Sequence, residues 1–224
     1  MKTKVLKNGN EGEAAAKITA VIFDYGEVLC HRPPDEEFHR LAAVFGSDRK
    51  SFQKLWDKNR GAFDRGDLTA QAYWAALAED AGAELDPEQI DHVCRWDVSM
   101  WGSANTRMVA WLRRLREAGI KTALLSNMHH DMIAYLRENF DWIDQFDFIT
   151  FSAEVRLIKP DAAIYEHTLH GLGVTPSGTL FVDDREINVQ AARKIGMHAV
   201  KFQSAEQLRK ELEELSFPIL PVLE

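Results

Sequence analysis

Four short runs rich in Val, Ile, Leu and Phe set the tightest limit on what this chain can fold into: ITAVIFD (18–24), KTALLS (121–126), FDFIT (146–150) and TLFVDD (179–184). Their hydrophobicity is continuous rather than alternating, as in strands of a parallel sheet covered on both faces. HAVKF (198–202) adds a fifth such run. Helical periods lie between the later runs. Met108, Trp111, Leu112 and Leu115 form one apolar stripe before Gly119, and Ile164, Tyr165, Thr168, Leu169 and Leu172 form another before Gly173. A third period runs from about Glu186 to Ile195 and stops at Gly196. Glycine after the last periodic residue is a helix stop signal. Strand alternating with helix predicts an α/β fold built on a doubly wound parallel sheet.

The stretch 33–103 breaks that rhythm. It carries helical stripes, among them Phe38, Leu41 and Phe45, and Tyr73, Trp74 and Leu77, but no strand pattern. Asp86-Pro87 marks a helix start. The expected organisation is a loose tail over 1–17, an α/β core over 18–32 and 104–224, and a helical cap over 33–103. Such an insert would sit over the carboxyl ends of the strands, where ligands bind in sheets of this kind.

With 224 residues and 46% hydrophobic content the chain can bury a full core. Its net charge of −8 provides no basic surface for nucleic acid or an anionic bilayer, which points to small-molecule partners. No apolar run approaches the roughly 20 residues that span a membrane. Only two cysteines occur, Cys30 and Cys94, in no metal or redox spacing. That usage suits a reducing compartment, and the cytoplasm is the expected location. No residue pattern specifies an oligomeric state.

Asp24, Ser126 and the pair Asp183-Asp184 fall at the ends of predicted strands, and Lys159 lies in a loop before a helix. Parallel neighbours would bring these groups to one crevice. Gathered carboxylates repel one another unless a cation neutralises them. Mg²⁺ fits, because it takes hard oxygen ligands and shares its shell with substrate phosphate. Serine and lysine supply a donor and a charge for phosphate oxygens. An aspartate beside them can attack phosphorus and split hydrolysis into two steps.

These motifs, FDYGEVL, LLSN, IKPD and FVDDREIN, occur in the order found in the haloacid dehalogenase-like superfamily, which the chain resembles over roughly residues 18 to 202. The branch with a helical cap after the first motif is the best match. The resemblance implies a phosphatase of small phosphorylated metabolites, with Asp24 as nucleophile. It further implies Ser126, Asn127 and Lys159 on phosphate, and Mg²⁺ held by Asp24, the Gly26 carbonyl, Asp183 and Asp184. Arg65, beside a glycine in the cap, is a candidate substrate contact.

The departure is Gly26. Phosphatases of this superfamily usually carry there a second aspartate that protonates the leaving group. Members similar to glucose-1-phosphate phosphatases share the aspartate-x-glycine form, so a sugar phosphate is the expected substrate. Glu27 and His31 are the nearby substitutes for the missing acid. His129 and His130 are expected as a solvated pair, and Asn188 as a brace for the fourth motif. Two other readings compete: a metal-free 2-haloacid dehalogenase, which has no need of two adjacent acids in the fourth motif, and a catalytically silent binding protein of the same fold.

Overall fold

The structure, a computed structural model, describes residues 17–223. Apart from Lys17, the expected loose tail lies outside the described residues. Five parallel strands form one sheet: β1 (Ala20–Phe23), β2 (Lys121–Ser126), β3 (Phe148–Phe151), β4 (Thr179–Asp183) and β5 (His198–Lys201). Their spatial order is β3-β2-β1-β4-β5. The first strand is therefore the central one. The chain crosses it between β3 and β4, which puts the topological switch between β1 and β4.

Alternate residues of β1 serve the two faces of the sheet. Val21 and Phe23 join the cluster formed with α6 (Thr106–Glu117), α7 (His130–Asn139) and α11 (Ala205–Glu214). Ala20 and Ile22 join the opposite cluster with α9 (Ala162–Leu172) and α10 (Glu186–Lys194). Burial on both sides explains why the strand is apolar at every position. The sequence pattern does not predict helix α11. Ser204 caps it, and Leu208 and Leu212 bury its inner face.

Between β1 and α6 the chain is helical: α1 (Asp35–Val44), α2 (Arg49–Lys58), α3 (Arg60–Asp64), α4 (Ala70–Ala81) and α5 (Pro87–Met100). Three of these starts have a local cause. Asp48 and Thr69 accept backbone N–H bonds ahead of α2 and α4, and Asp86 forms a reciprocal capping box with Gln89 before α5. The apolar faces meet in a cluster of their own, with Phe45 stacked on both Phe52 and Trp74.

Two sets of contacts fix this insert on the sheet domain. The connecting segments pair through His31 N–H to the Ser103 carbonyl at 2.7 Å, and Tyr25 Oη donates to the Trp101 carbonyl at 2.8 Å. Further along, the turn after α3 docks on the short α8 (Ser152–Val155). The Ser152 hydroxyl donates to the Asp64 carbonyl and accepts from Met128 N–H, while Arg156 pairs with Asp67 at 2.9 Å. Gly66 sits at φ +78°, and a Cβ there would lie 2.9 Å from His130 Nε2 and 3.0 Å from the Ala153 carbonyl oxygen. Glycine alone allows that approach.

Candidate active site

The register of the sheet sets the site. Phe23 stands opposite Leu124 on one side and Val182 on the other, so the chain leaves β1 at Asp24 level with the last residues of β2 and β4. A cavity of about 440 Å³ opens there, lined from the sheet domain by Asp24, Gly26, Ser126, Asn127, Lys159 and Asp184.

Lys159 is the electrostatic centre. Almost fully buried, its ammonium donates to Asp183 Oδ2 at 2.7 Å and to the Leu125 carbonyl at 3.0 Å, and lies 2.9 Å from Asp24 Oδ1. Burial works against its charge, but Asp183 and Asp24 outweigh it and hold the amine above its ordinary value. Asp24 Oδ1 also accepts the Tyr25 N–H at 2.7 Å, whereas Oδ2 accepts no hydrogen bond among the described residues. One oxygen is anchored and the other is free to react.

Asp183 is gripped from several sides by the protein. Its two oxygens accept from Lys159, from the Arg185 N–H at 2.8 Å and from Asn188 Nδ2 at 3.0 and 3.1 Å. Asn188 thus braces the loop as expected. Asp184, half-buried and lining the cavity, accepts no hydrogen bond among the described residues. Ligand oxygens of Asp24, Asp183 and Asp184 lie within 4.8 Å of one another. Burial, opposed by Lys159, pushes the Asp24 carboxyl up to about 6, and burial with the charge of Asp24 pushes Asp184 up to about 7. Lys159 supplies one positive charge against three carboxylates, which leaves the cluster with a surplus of negative charge. A hard divalent cation fits this all-oxygen donor set.

Ser126, at the end of β2, is buried yet makes no hydrogen bond through its side chain among the described residues, and its hydroxyl is available to a ligand. Asn127 is engaged by the protein itself, since its carboxamide accepts the Lys159 N–H at 2.8 Å and donates to the Lys159 carbonyl at 3.0 Å. It positions the lysine, with one N–H left over for a ligand.

Several expected residues lie elsewhere. Arg65 does not line the cavity. It pairs with Asp67 at 2.6 Å on the surface. His31 is exposed and borders a separate surface depression. Glu27, at φ +55°, lies on the wall of both. The histidine pair is not solvated as a whole. His130 does not line the cavity, and His129 is buried, stacked on Phe63 at 4.1 Å with Nε2 3.5 Å from Asp97.

The insert contributes residues that the sequence pattern does not single out. Gln53, Trp56, Asp57, Arg60 and Asp64 line the cavity. Arg60 Nε donates to Asp64 at 2.9 Å, and Nη1 lies 3.6 Å from Asp97. Burial opposes ionisation of Asp97, but Arg60 and His129 hold its carboxyl below the ordinary value. Asp64 is raised by burial against the pull of Arg60.

A five-stranded parallel sheet with acids and a lysine at its switch point and a helical insert over them is an α/β architecture shared with haloacid dehalogenase-like enzymes. Residues 18–196 match the family described as haloacid dehalogenase-like hydrolase, and the chain belongs to it. It is 34% identical to the sesquiterpene phosphatase astK of Aspergillus oryzae over 88% of this chain and 95% of that one. A family enzyme of Bacteroides thetaiotaomicron, solved with magnesium and inorganic phosphate, superposes with a TM-score of 0.65 at 24% identity, covering 83% of this chain and 94% of that one. The L-2-haloacid dehalogenase of Xanthobacter autotrophicus, solved with chloropropionic acid covalently bound, gives 0.62 at 24% identity over 91% and 85%. No helix among the described residues is long and apolar enough to cross a membrane.

Proposed function

We propose that the protein is a magnesium-dependent phosphomonoester hydrolase acting on a small phosphorylated metabolite, a sugar phosphate, through an aspartyl-phosphate on Asp24. The observation that carries this reading is the cluster of three carboxylates, of which Asp184 has no protein partner among the described residues. A dehalogenase transferring its substrate to the same aspartate has no use for a second unpaired acid beside it. Mg²⁺, held by Asp24, Asp184, the Gly26 carbonyl and Asp183, directly or through water, would screen the repulsion between two anions and polarise the phosphoryl oxygens.

The remaining steps belong to the chain. Ser126 and Lys159 fix the phosphoryl oxygens, and Lys159 keeps Asp24 ionised and oriented. The free oxygen of Asp24 attacks phosphorus as the ester P–O bond breaks, and its electron pair leaves with the alcohol oxygen. Water then cleaves the acyl phosphate and restores the carboxylate. Gly26 supplies no proton to the departing oxygen, so a weakly basic leaving group, such as an anomeric hydroxyl, is favoured.

The test is turnover of a panel of phosphate esters with Mg²⁺ and with chelator, alongside 2-chloropropionate. The reading expects metal-dependent phosphate release and inhibition by beryllium fluoride, both lost in Asp24→Asn. Metal-independent chloride release would establish the dehalogenase instead, and neither activity would leave a binding protein.

A further inference from the structure

Trp56, Asp57 and Arg60 stand three, four and seven residues after Gln53, one stripe of α2 continuing into α3. All four line the cavity that holds Asp24. Trp56 turns most of its indole into the insert's own core, and the Arg60 guanidinium lies over the Trp56 and Phe63 rings at 4.9 and 5.4 Å. Nε is tied to Asp64 and Nη1 faces Asp97, itself 1% exposed, while Nη2 makes no hydrogen bond among the described residues. Nη1 is buried and, at 3.6 Å from Asp97, too far for a hydrogen bond.

The charges decide what such a group can read. Two carboxylates flank one guanidinium, so Arg60 offers N–H donors without a surplus of positive charge. Asp57 is an exposed acceptor beside it, held by Gln53 Nε2 at 3.0 Å, and Gln53 is held in turn by Arg49 at 2.7 Å. Trp56 and Trp101 add apolar surface to the same wall.

We propose that this stripe is the leaving-group subsite, with Arg60 its specificity-determining donor and Asp97 the positioning residue, and that it selects a neutral, hydroxyl-bearing leaving group over one carrying a second anion. The proposal rests on the phosphatase reading. A hydroxyl both donates and accepts, matching Asp57 and Arg60 together. The C–H face of a polyol suits indole. A second phosphate or carboxylate would meet Asp57 and Asp64, and a wholly apolar chain would strip water from Arg60 and Asp57 without replacing their hydrogen bonds.

The experiment compares kcat/KM with Mg²⁺ for α-glucose 1-phosphate, glucose 1,6-bisphosphate, farnesyl phosphate and p-nitrophenyl phosphate, in the wild type and in Arg60→Lys, Asp57→Asn and Asp97→Asn. Glucose 1-phosphate is expected to exceed the bisphosphate and the farnesyl ester. Arg60→Lys and Asp57→Asn should each raise its KM on the order of 10- to 100-fold, the loss of one hydrogen bond to a charged group. Inhibition by inorganic phosphate should stay near wild type, because phosphate carries no leaving group to engage the stripe. Asp97→Asn should reproduce the KM effect; a merely structural change would lower all activities alike. Asp57 is exposed, so its variant reports even if an Arg60 variant fails to fold. Preference for the bisphosphate or the farnesyl ester, or an unchanged glucose 1-phosphate KM in Asp57→Asn, would overturn the subsite. Absence of p-nitrophenyl phosphate hydrolysis would instead overturn the phosphatase reading beneath it.

Discussion

Gly26 shows how far one missing side chain can be tested by putting it back. A Cβ built there meets nothing within 4 Å, and its φ lies outside the left-handed region, so a side chain is excluded neither by space nor by backbone. Gly26→Asp should therefore be tolerated and should bring a carboxyl group to the departing oxygen. General acids contribute about 10²- to 10⁴-fold. The variant should gain most on esters of poorly departing alcohols, flattening the dependence of kcat/KM on leaving-group pKa across a series of aryl phosphates. An unchanged slope would mean that another group already donates the proton. The neighbouring acids make a second prediction. Asp24 and Asp184 are raised to about 6 and about 7 from an ordinary value of 3.8. Between the ordinary and raised values the folded chain binds more protons than the unfolded one, so this contribution to metal-free stability falls as pH rises through that window. At the proposed metal site Mg²⁺ would compete for the same oxygens. Its affinity by calorimetry, and the rise in Tm it produces, should be larger at about pH 8 than at about pH 5.5. Equal affinity at both would remove these two carboxylates from the metal site.

At the scale of elements, the contact between the turn after α3 and α8 is the joint to probe. Gly66→Ala adds left-handed strain of about 1–3 kcal/mol to a clash with the Ala153 carbonyl. We expect a Tm several degrees lower and reduced turnover of substrates that reach the insert. Asp86→Ala is the contrasting change: it removes the cap of α5 far from the cavity and should cost about 1 kcal/mol with kcat/KM intact. The strands were legible in the sequence because burial on both faces leaves few alternatives to an apolar run, and the polar residue ending each run marks the crevice. The helix stops at Gly173 and Gly196 were legible for an equally local reason, since both adopt positive φ. Helix α11 was not legible, because its apolar residues are few and Ser204 is one capping residue among many serines and threonines. Arg60 was hidden too. Its stripe overlaps the insert's own apolar periodicity at Trp56, and the pattern does not show that the polar side of that stripe lines the cavity. Arg65, in a more suggestive setting beside glycine, is engaged by Asp67 on the surface.

For the whole molecule, motif order is enough to bring the acids and the lysine to one crevice, while their division of labour is set by contacts that the sequence does not display. Asp183 and Asp184 are adjacent, yet one is consumed by Lys159 and Asn188 and the other is free. Asn127 serves Lys159 rather than standing as an open phosphate ligand. The position of β1 in the middle of the sheet has a further consequence, felt while the chain is being made. The strand that ends at Asp24 is the first of the five to leave the ribosome, but its neighbours are residues 121–126 and 179–183. At about 5–20 residues per second, one edge of β1 waits on the order of ten seconds for β4. The helices of 35–100 close mostly on one another and can form during that wait. Proteolysis of stalled nascent chains should find the insert protected before β1. Simultaneous protection would mean that the sheet's first strand is sheltered by something other than its own neighbours, and would identify the newborn chain as a client for chaperones that bind exposed strand edges.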